Sequence, residues 1–376
     1  MNATASEAGE RNGRVAGLDL LRAAAIVAVL LMHLINREFT VRHLAQPPLS
    51  NSLGYFGVEL FFILSGFLIG RILIDIAASN SGPRDWALFL VRRWMRTLPV
   101  YLVWLVVLLT VTPPADFVAT AARYATFSQN LAWPMGGWFS VSWSLAVEEW
   151  FYLLFSFVLL ILAAARVRGA VLWTCLLFVT LPLAGRIFLI PPDAPFDVGM
   201  REVALVRLDA IAYGVVAAWC LTRTPEVIRR WRRTLFLAGI FLLLAPADVL
   251  AVLGSPAAFD AARPYLLALT PIGFALWIPG ALDIAMAAAP LRIVRWVSTR
   301  SYALYIVHLS MIDLAWAAAT HLHMPVVLCA PAAVLLSAGL AELSYRYLET
   351  PILRLRPQQP AAAGRAAAIV RQPLVA

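Results

Sequence analysis

Arg22 and His33 stand eleven positions apart within 17–35, the first stretch of the chain apolar enough to cross a membrane. Eleven residues make about three helical turns, so the two share a helix face, roughly 16 Å apart along the axis. A fixed positive charge in such a run is expensive, and ionisable groups placed there are functional by default. The competing reading lets Arg22 snorkel to headgroups while His33 packs near the far interface. That reading needs two accidents on one stripe of one helix.

Further ionisable groups are expected at the depth of His33. Glu59 and the pair Glu148–Glu149 fall toward the outer ends of the second and fourth apolar runs, and Arg207 and Asp209 toward the outer end of the sixth. A carboxylate beside a histidine fixes its tautomer and stabilises the imidazolium formed when it accepts a proton, and Glu148 is the candidate for that task. At the other side, Arg93 and Arg96 are three apart and hence on one helical face, in the geometry that suits phosphate. They equally fit the arginine enrichment of any cytoplasmic loop. His308, expected nearer the cytoplasm, either faces the same cavity or packs as a satisfied histidine. His321 and His323 are two apart, on different faces, which argues against a metal site. There is no Gly-x-Ser-x-Gly elbow, Walker loop or Cys-x-x-Cys.

The elements that must position these residues are membrane helices. Of 376 residues, 62% are hydrophobic and 14% charged, against about 25% charged in a soluble domain. Ten apolar runs are predicted as helices: 17–35, 55–77, 97–113, 140–165, 170–190, 203–222, 234–253, 264–284, 301–320 and 325–346. The fold class is therefore all-α, a polytopic transmembrane helix bundle. Pro271 and Pro279 predict a kink or break in the eighth helix. The domain is expected over 17–350, between tails at 1–16 and 351–376. The first tail reads as preceding an uncleaved anchor.

All 30 basic residues are arginine and the net charge is +9. Their placement fits membrane topology and not nucleic acid. With both termini cytoplasmic, the inner loops take Arg84 to Arg96, Arg166, Arg168, Arg223 to Arg233 and Arg292 to Arg300. The outer loops keep Arg37, Arg42, Arg123, Arg201 and Arg263. Arg229 to Arg233 is expected as a solvated loop. Cys175, Cys220 and Cys329 lie in apolar runs at unrelated spacings and imply no disulfide framework. Gly66 and Gly70 have the spacing that lets two helices approach closely.

Taken in order, these residues resemble the acyltransferase-3 family of integral membrane acyltransferases. The signals are Arg22-x10-His33, the Gly57 to Ser65–Gly66 stretch around Glu59, and Arg93-x-x-Arg96-x-x-Pro99-x-Tyr101. They continue through Trp143 to Glu149, Arg207–Asp209, Ser301 to His308, and Glu342 to Pro351. Any one is weak; the ordered set spans about 14–355. Trp150 departs from a frequent glutamine and touches no assigned role. A trailing esterase-like domain, found in some members, is not expected, nor is a fused two-enzyme mechanism.

The resemblance implies transfer of an acyl group, usually acetyl from acetyl-CoA, to a hydroxyl on a carbohydrate, a glycolipid or another small acceptor at the lipid bilayer. It implies no permanently bound cofactor; the acyl-CoA is a co-substrate. His33 matches the family's catalytic histidine, with Glu148 as its orienting carboxylate. Arg22, Arg93 and Arg96 fall to the donor, and Glu59, Ser65, Arg207, Asp209 and His308 to the substrate. A general-base His33 and an acyl-His33 intermediate both fit. The alternatives are acylation of a secondary metabolite such as a macrolide, or a non-catalytic transporter or flippase using buried Arg22, Arg186 and Arg207.

Overall fold

From Leu18 to Val41 no glycine or proline interrupts the first apolar run, and it forms one helix, α1 (Ala16–Val41). This is two turns longer than the hydropathy pattern predicts. The extra turns are polar, and they are held by an Arg37–Asp313 ion pair at 3.3 Å. His33 therefore lies about two turns inside the helix end instead of at the interface. The computed structural model describes residues 15–79, 82–253, 256–323 and 325–357, with only the backbone described at 48, 245–253 and 256–260.

α2 (Pro48–Ala78) and α3 (Pro83–Val111) each start with proline in the first turn, where its missing N–H costs nothing. α3 begins fourteen residues before the predicted 97, so Arg92, Arg93 and Arg96 sit on a helix within the bundle and not in a loop. A short α4 (Phe117–Ala125) precedes α5 (Ser142–Ala164) and α6 (Ala170–Phe188). A single π-helical turn, Asp197–Arg201, leads to α7 (Leu208–Arg223). α7 packs on α2 at the predicted glycine: a methyl on Gly66 would collide with the Ile211 carbonyl, and one on Gly214 with the Ile63 carbonyl.

α8 (Pro225–Leu253) takes in Arg229 to Arg233, which are helical and not the expected loop, because Pro225 starts the helix ahead of them. α9 (Pro256–Ala275) ends before Pro279, and the short α10 (Ile278–Leu282) follows. The predicted break is thus present. α11 (Ala288–His321), α12 (Cys329–Ser344), a π turn at Tyr345–Glu349 and α13 (Thr350–Arg354) complete the described residues. The tail expected from 351 begins inside this last helical stretch.

Among the described residues, nine helices are long and apolar enough to cross a membrane, which makes this a multi-pass membrane protein. α8 lies outside those nine. Four arginines occupy its first turns, and its side chains are described only to 244. It nevertheless runs antiparallel to α9, with Gly239 against Gly273 and the Phe236 and Trp277 rings 5.3 Å apart. Counting α8 as a pass makes α1 and α11 parallel, and their contacts show that they are. Ser298 Oγ donates to Asp19 at 2.6 Å near one end, His33 faces His308 well toward the other, and Arg37 meets Asp313 one turn beyond.

Candidate active site

α1, α2, α3, α5 and α11 surround a cavity of about 300 Å³, within the size range of small-molecule sites. It begins at the Asp19 end of the bundle, between Ile76, Phe89, Arg92 and Arg356, and reaches inward to Ser144 and Tyr305. Five arginines line it, namely Arg22, Arg92, Arg93, Arg96 and Arg356, against one carboxylate, Glu148. A low-dielectric wall with that excess of guanidinium is built for a polyanion.

α3 sets the spacing of this charge. Arg93 Nη2 donates to Glu148 Oε2 at 3.0 Å and also bonds the Tyr152 hydroxyl, while its guanidinium lies over the Tyr152 ring, 4.3 Å from the centroid. Tyr152, one turn after Glu148, donates to the same carboxylate oxygen at 2.6 Å. Ser65 Oγ is 2.6 Å from the Tyr152 hydroxyl. Ser65, expected among the substrate contacts, thus belongs to the arginine cluster. On the next face of α5, Glu149 accepts from Thr97 Oγ1 at 3.0 Å and Trp94 Nε1 at 3.1 Å, which anchors α3 to α5. At the mouth, Arg356 Nε donates to the Arg92 carbonyl at 2.9 Å and holds the segment after Arg354 at the opening.

The inner end of the cavity leads to His33. Ser144 Oγ and the Tyr305 hydroxyl are 2.7 Å apart there. The Tyr305 ring is 5.8 Å from the His308 ring, and His308 in turn is 5.0 Å from His33, centroid to centroid. His308 is fully buried and lies at the depth of His33, farther from the Asp19 end than the sequence places it. Beyond the histidines lies Arg201, its guanidinium 4.7 Å from the Trp143 ring and 2.6 Å from Asp197. The neighbouring Glu202 carboxyl, in the loop after the π turn, is pushed up from its ordinary range by burial.

The predicted convergence on His33 divides in two. Glu59, Arg207 and Asp209 come together, but with Arg186 and away from the cavity. Arg207 pairs with Glu59 and donates to the Leu267 carbonyl at 2.9 Å. Arg186 grips Asp209 with two bonds, 2.9 and 2.6 Å, and all four side chains are wholly buried. Glu148 stays with Arg93. What faces His33 is a second imidazole. Tyr302 and Tyr305 lay within the Ser301 to His308 motif but had no role assigned from the sequence, and Arg92 and Arg201 were read as loop arginines. Tyr152 and Arg356 were not singled out, although Tyr152 carried a signal, one helical turn from Glu148. Among the described residues no cluster could hold a metal ion, and the three cysteines are unpaired.

A membrane helix bundle with an arginine-lined cavity whose inner end, at Tyr305, neighbours a histidine pair defines the class. Residues 15–342 match the family model described as an acyltransferase domain, and the chain belongs to this acyltransferase-3 family. It is 27% identical to the peptidoglycan O-acetyltransferase OatA of Listeria monocytogenes over 90% of this chain and 56% of that protein. It is 26% identical to O-acetyltransferase OatA of Staphylococcus aureus over 89% of this chain and 57% of that one. The chain thus spans about half the length of the curated relatives it matches. No solved structure matches it.

Proposed function

We propose that the chain is an O-acyltransferase that carries an acyl group, acetyl by analogy with its relatives, from acyl-CoA to a hydroxyl of a cell-envelope carbohydrate or glycolipid. One observation carries this reading: a cavity with five arginines at one end whose other end adjoins the His33–His308 pair. The arginines fit the phosphates of the donor, and the apolar stretch between them and Tyr305 fits its extended arm. A thioester is already activated, so the protein has to deprotonate the attacking hydroxyl and stabilise the tetrahedral oxyanion. His33 takes the hydroxyl proton, the oxygen attacks the thioester carbonyl, and the coenzyme A thiolate leaves and is protonated. The transporter reading is less favoured, because Arg186 and Arg207 are held by their own carboxylates and not by a pathway.

The Asp19 end is assigned to the cytoplasm from the arginine bias, which places the cavity mouth where acyl-CoA is found. Reporter fusions after Pro192 and Val227 should then report opposite sides, the second one cytoplasmic. The reading itself is tested with purified protein in lipid nanodiscs, labelled acetyl-CoA and envelope glycan acceptors. Label reaching a glycan hydroxyl supports it. Absence of both transfer and donor hydrolysis would contradict it.

A further inference from the structure

His308 has an asymmetric environment. Its Nδ1 is 2.8 Å from the Tyr305 carbonyl and 3.2 Å from that of Leu304, both on its own helix. Carbonyls only accept, so Nδ1 carries the proton and Nε2 is left with a lone pair. That Nε2 is fully buried and has no hydrogen-bond partner among the described residues. A buried acceptor left without a donor is rare in folded proteins. The ring opposite is His33, 5.0 Å away between centroids and tilted by 49°. No hydrogen bond joins the two rings in this structure, but at that centroid distance a rotation of the His33 ring brings one of its nitrogens to His308 Nε2, and the tilt excludes stacking.

We infer that His308 is a positioning residue for acyl transfer: its Nε2 accepts the N–H of His33, so that the other nitrogen of His33 is aimed at the acceptor hydroxyl. The inference rests on the acyltransferase reading above and gives His308 the orienting task that sequence alone gave to Glu148. The proton balance is simple. The hydroxyl proton moves to the free nitrogen of His33, the resulting imidazolium keeps its second N–H on His308 Nε2, and the proton later goes to the departing thiolate. His308 stays neutral throughout, because its Nδ1 proton is anchored on Tyr305. A carboxylate in its place would also bring a negative charge into the membrane.

The other groups facing the pair are few. Arg201 acts on His33 and on Tyr305 from the π turn before α7, and Glu202 acts on Tyr305 from the following loop. Glu148 reaches Tyr305 from α5. On α2, Tyr55 neighbours Glu59, which Arg207 already holds.

The test is steady-state kinetics of His308→Phe and His308→Gln in nanodiscs with acetyl-CoA and glycan acceptor. Phenylalanine keeps the ring volume and removes both nitrogens. Glutamine places an amide oxygen near the position of Nε2 and cannot become charged. The Phe variant should lose about a hundredfold in kcat, at the low end of acid–base contributions, with both KM values nearly unchanged. Its acid limb should move to lower pH, because the His33 imidazolium has lost a stabilising acceptor. The Gln variant should recover at least about tenfold over Phe, since the acceptor is restored without an imidazole. If Phe raises the acceptor KM and keeps kcat, His308 holds substrate and the inference fails. If both variants keep wild-type kinetics, the residue only packs and the inference fails. If Phe does not fold, His308→Leu takes its place, and a folded Leu variant that keeps wild-type kcat overturns the inference, whereas a Leu variant that loses kcat where Gln recovers it supports it. A wild-type protein without transfer would instead overturn the acyltransferase reading itself.

Discussion

Two sets of arginines lie inside this membrane bundle, and their partners differ. In the network on α2, α6 and α7, Arg186 and Arg207 meet Asp209 and Glu59, two cations against two carboxylates, with no exposure on any side chain. Five arginines line the cavity with a single carboxylate, Glu148, while Glu149 and Glu349 act on Arg93 and Arg96 from outside the lining, and the Arg93 and Glu148 side chains keep 18% and 16% exposure. Matched charge, closed off and hydrogen-bonded to carbonyls, fastens helices that lipid does not drive together. Arginines in excess of the carboxylates that line a cavity suit an anion there. The same residue type is closed off in one place and lines a cavity in the other, and access to that cavity tells them apart.

The comparison is most forcefully broken by removing one partner of the closed network. Arg207→Ala leaves Glu59 buried without its cation, which should cost roughly 3–5 kcal/mol of stability. Detergent-solubilised protein should show a large drop in thermal midpoint or fail to accumulate. Arg93→Ala, in the open set, should leave the thermal midpoint near wild type. It should raise the acyl-CoA KM about ten- to a hundredfold, from loss of bonds worth about 1.5–3 kcal/mol to a charged group, with kcat nearly kept. Unchanged donor affinity would return Arg93 to a topological role. The smallest and most diagnostic effect is that of Glu148→Gln. Removing the one carboxylate that lines the cavity should tighten acyl-CoA by about two- to tenfold, on the scale of one modest hydrogen bond, and leave the acid limb of the pH profile in place. A shifted acid limb would put Glu148 back beside His33.

The sequence conveyed depth better than direction. The apolar runs located the helices, and the ordered motifs located His33 and Arg93. Helix ends were lost wherever polar turns continue a helix, as at Asn36–Val41 in α1 and Pro83–Arg96 in α3, because hydropathy falls while the hydrogen-bonded backbone persists. Glu59 and Glu148 were correctly found inside the bundle. The face of the helix that each presents, toward Arg207 or toward Arg93, is decided by how neighbouring helices are rotated and carries no local sequence signal. Arg201 stayed hidden for a related reason. Its irregular segment reads as a polar loop, yet the π turn folds it back onto Trp143.

The central claim is that chemistry belongs to His33 and donor binding to the arginines, at opposite ends of one cavity. His33→Ala in nanodiscs, assayed for acetyl transfer and for equilibrium binding of labelled coenzyme A, measures both at once. The account predicts that transfer falls by about a hundred- to ten-thousandfold, or further if His33 is an obligatory nucleophile. Coenzyme A should bind as it does to the wild type. Wild-type transfer should itself decline at acid pH as the imidazole takes up a proton. Near wild-type transfer by His33→Ala would contradict the account and reduce the Arg22–His33 stripe to packing or transport.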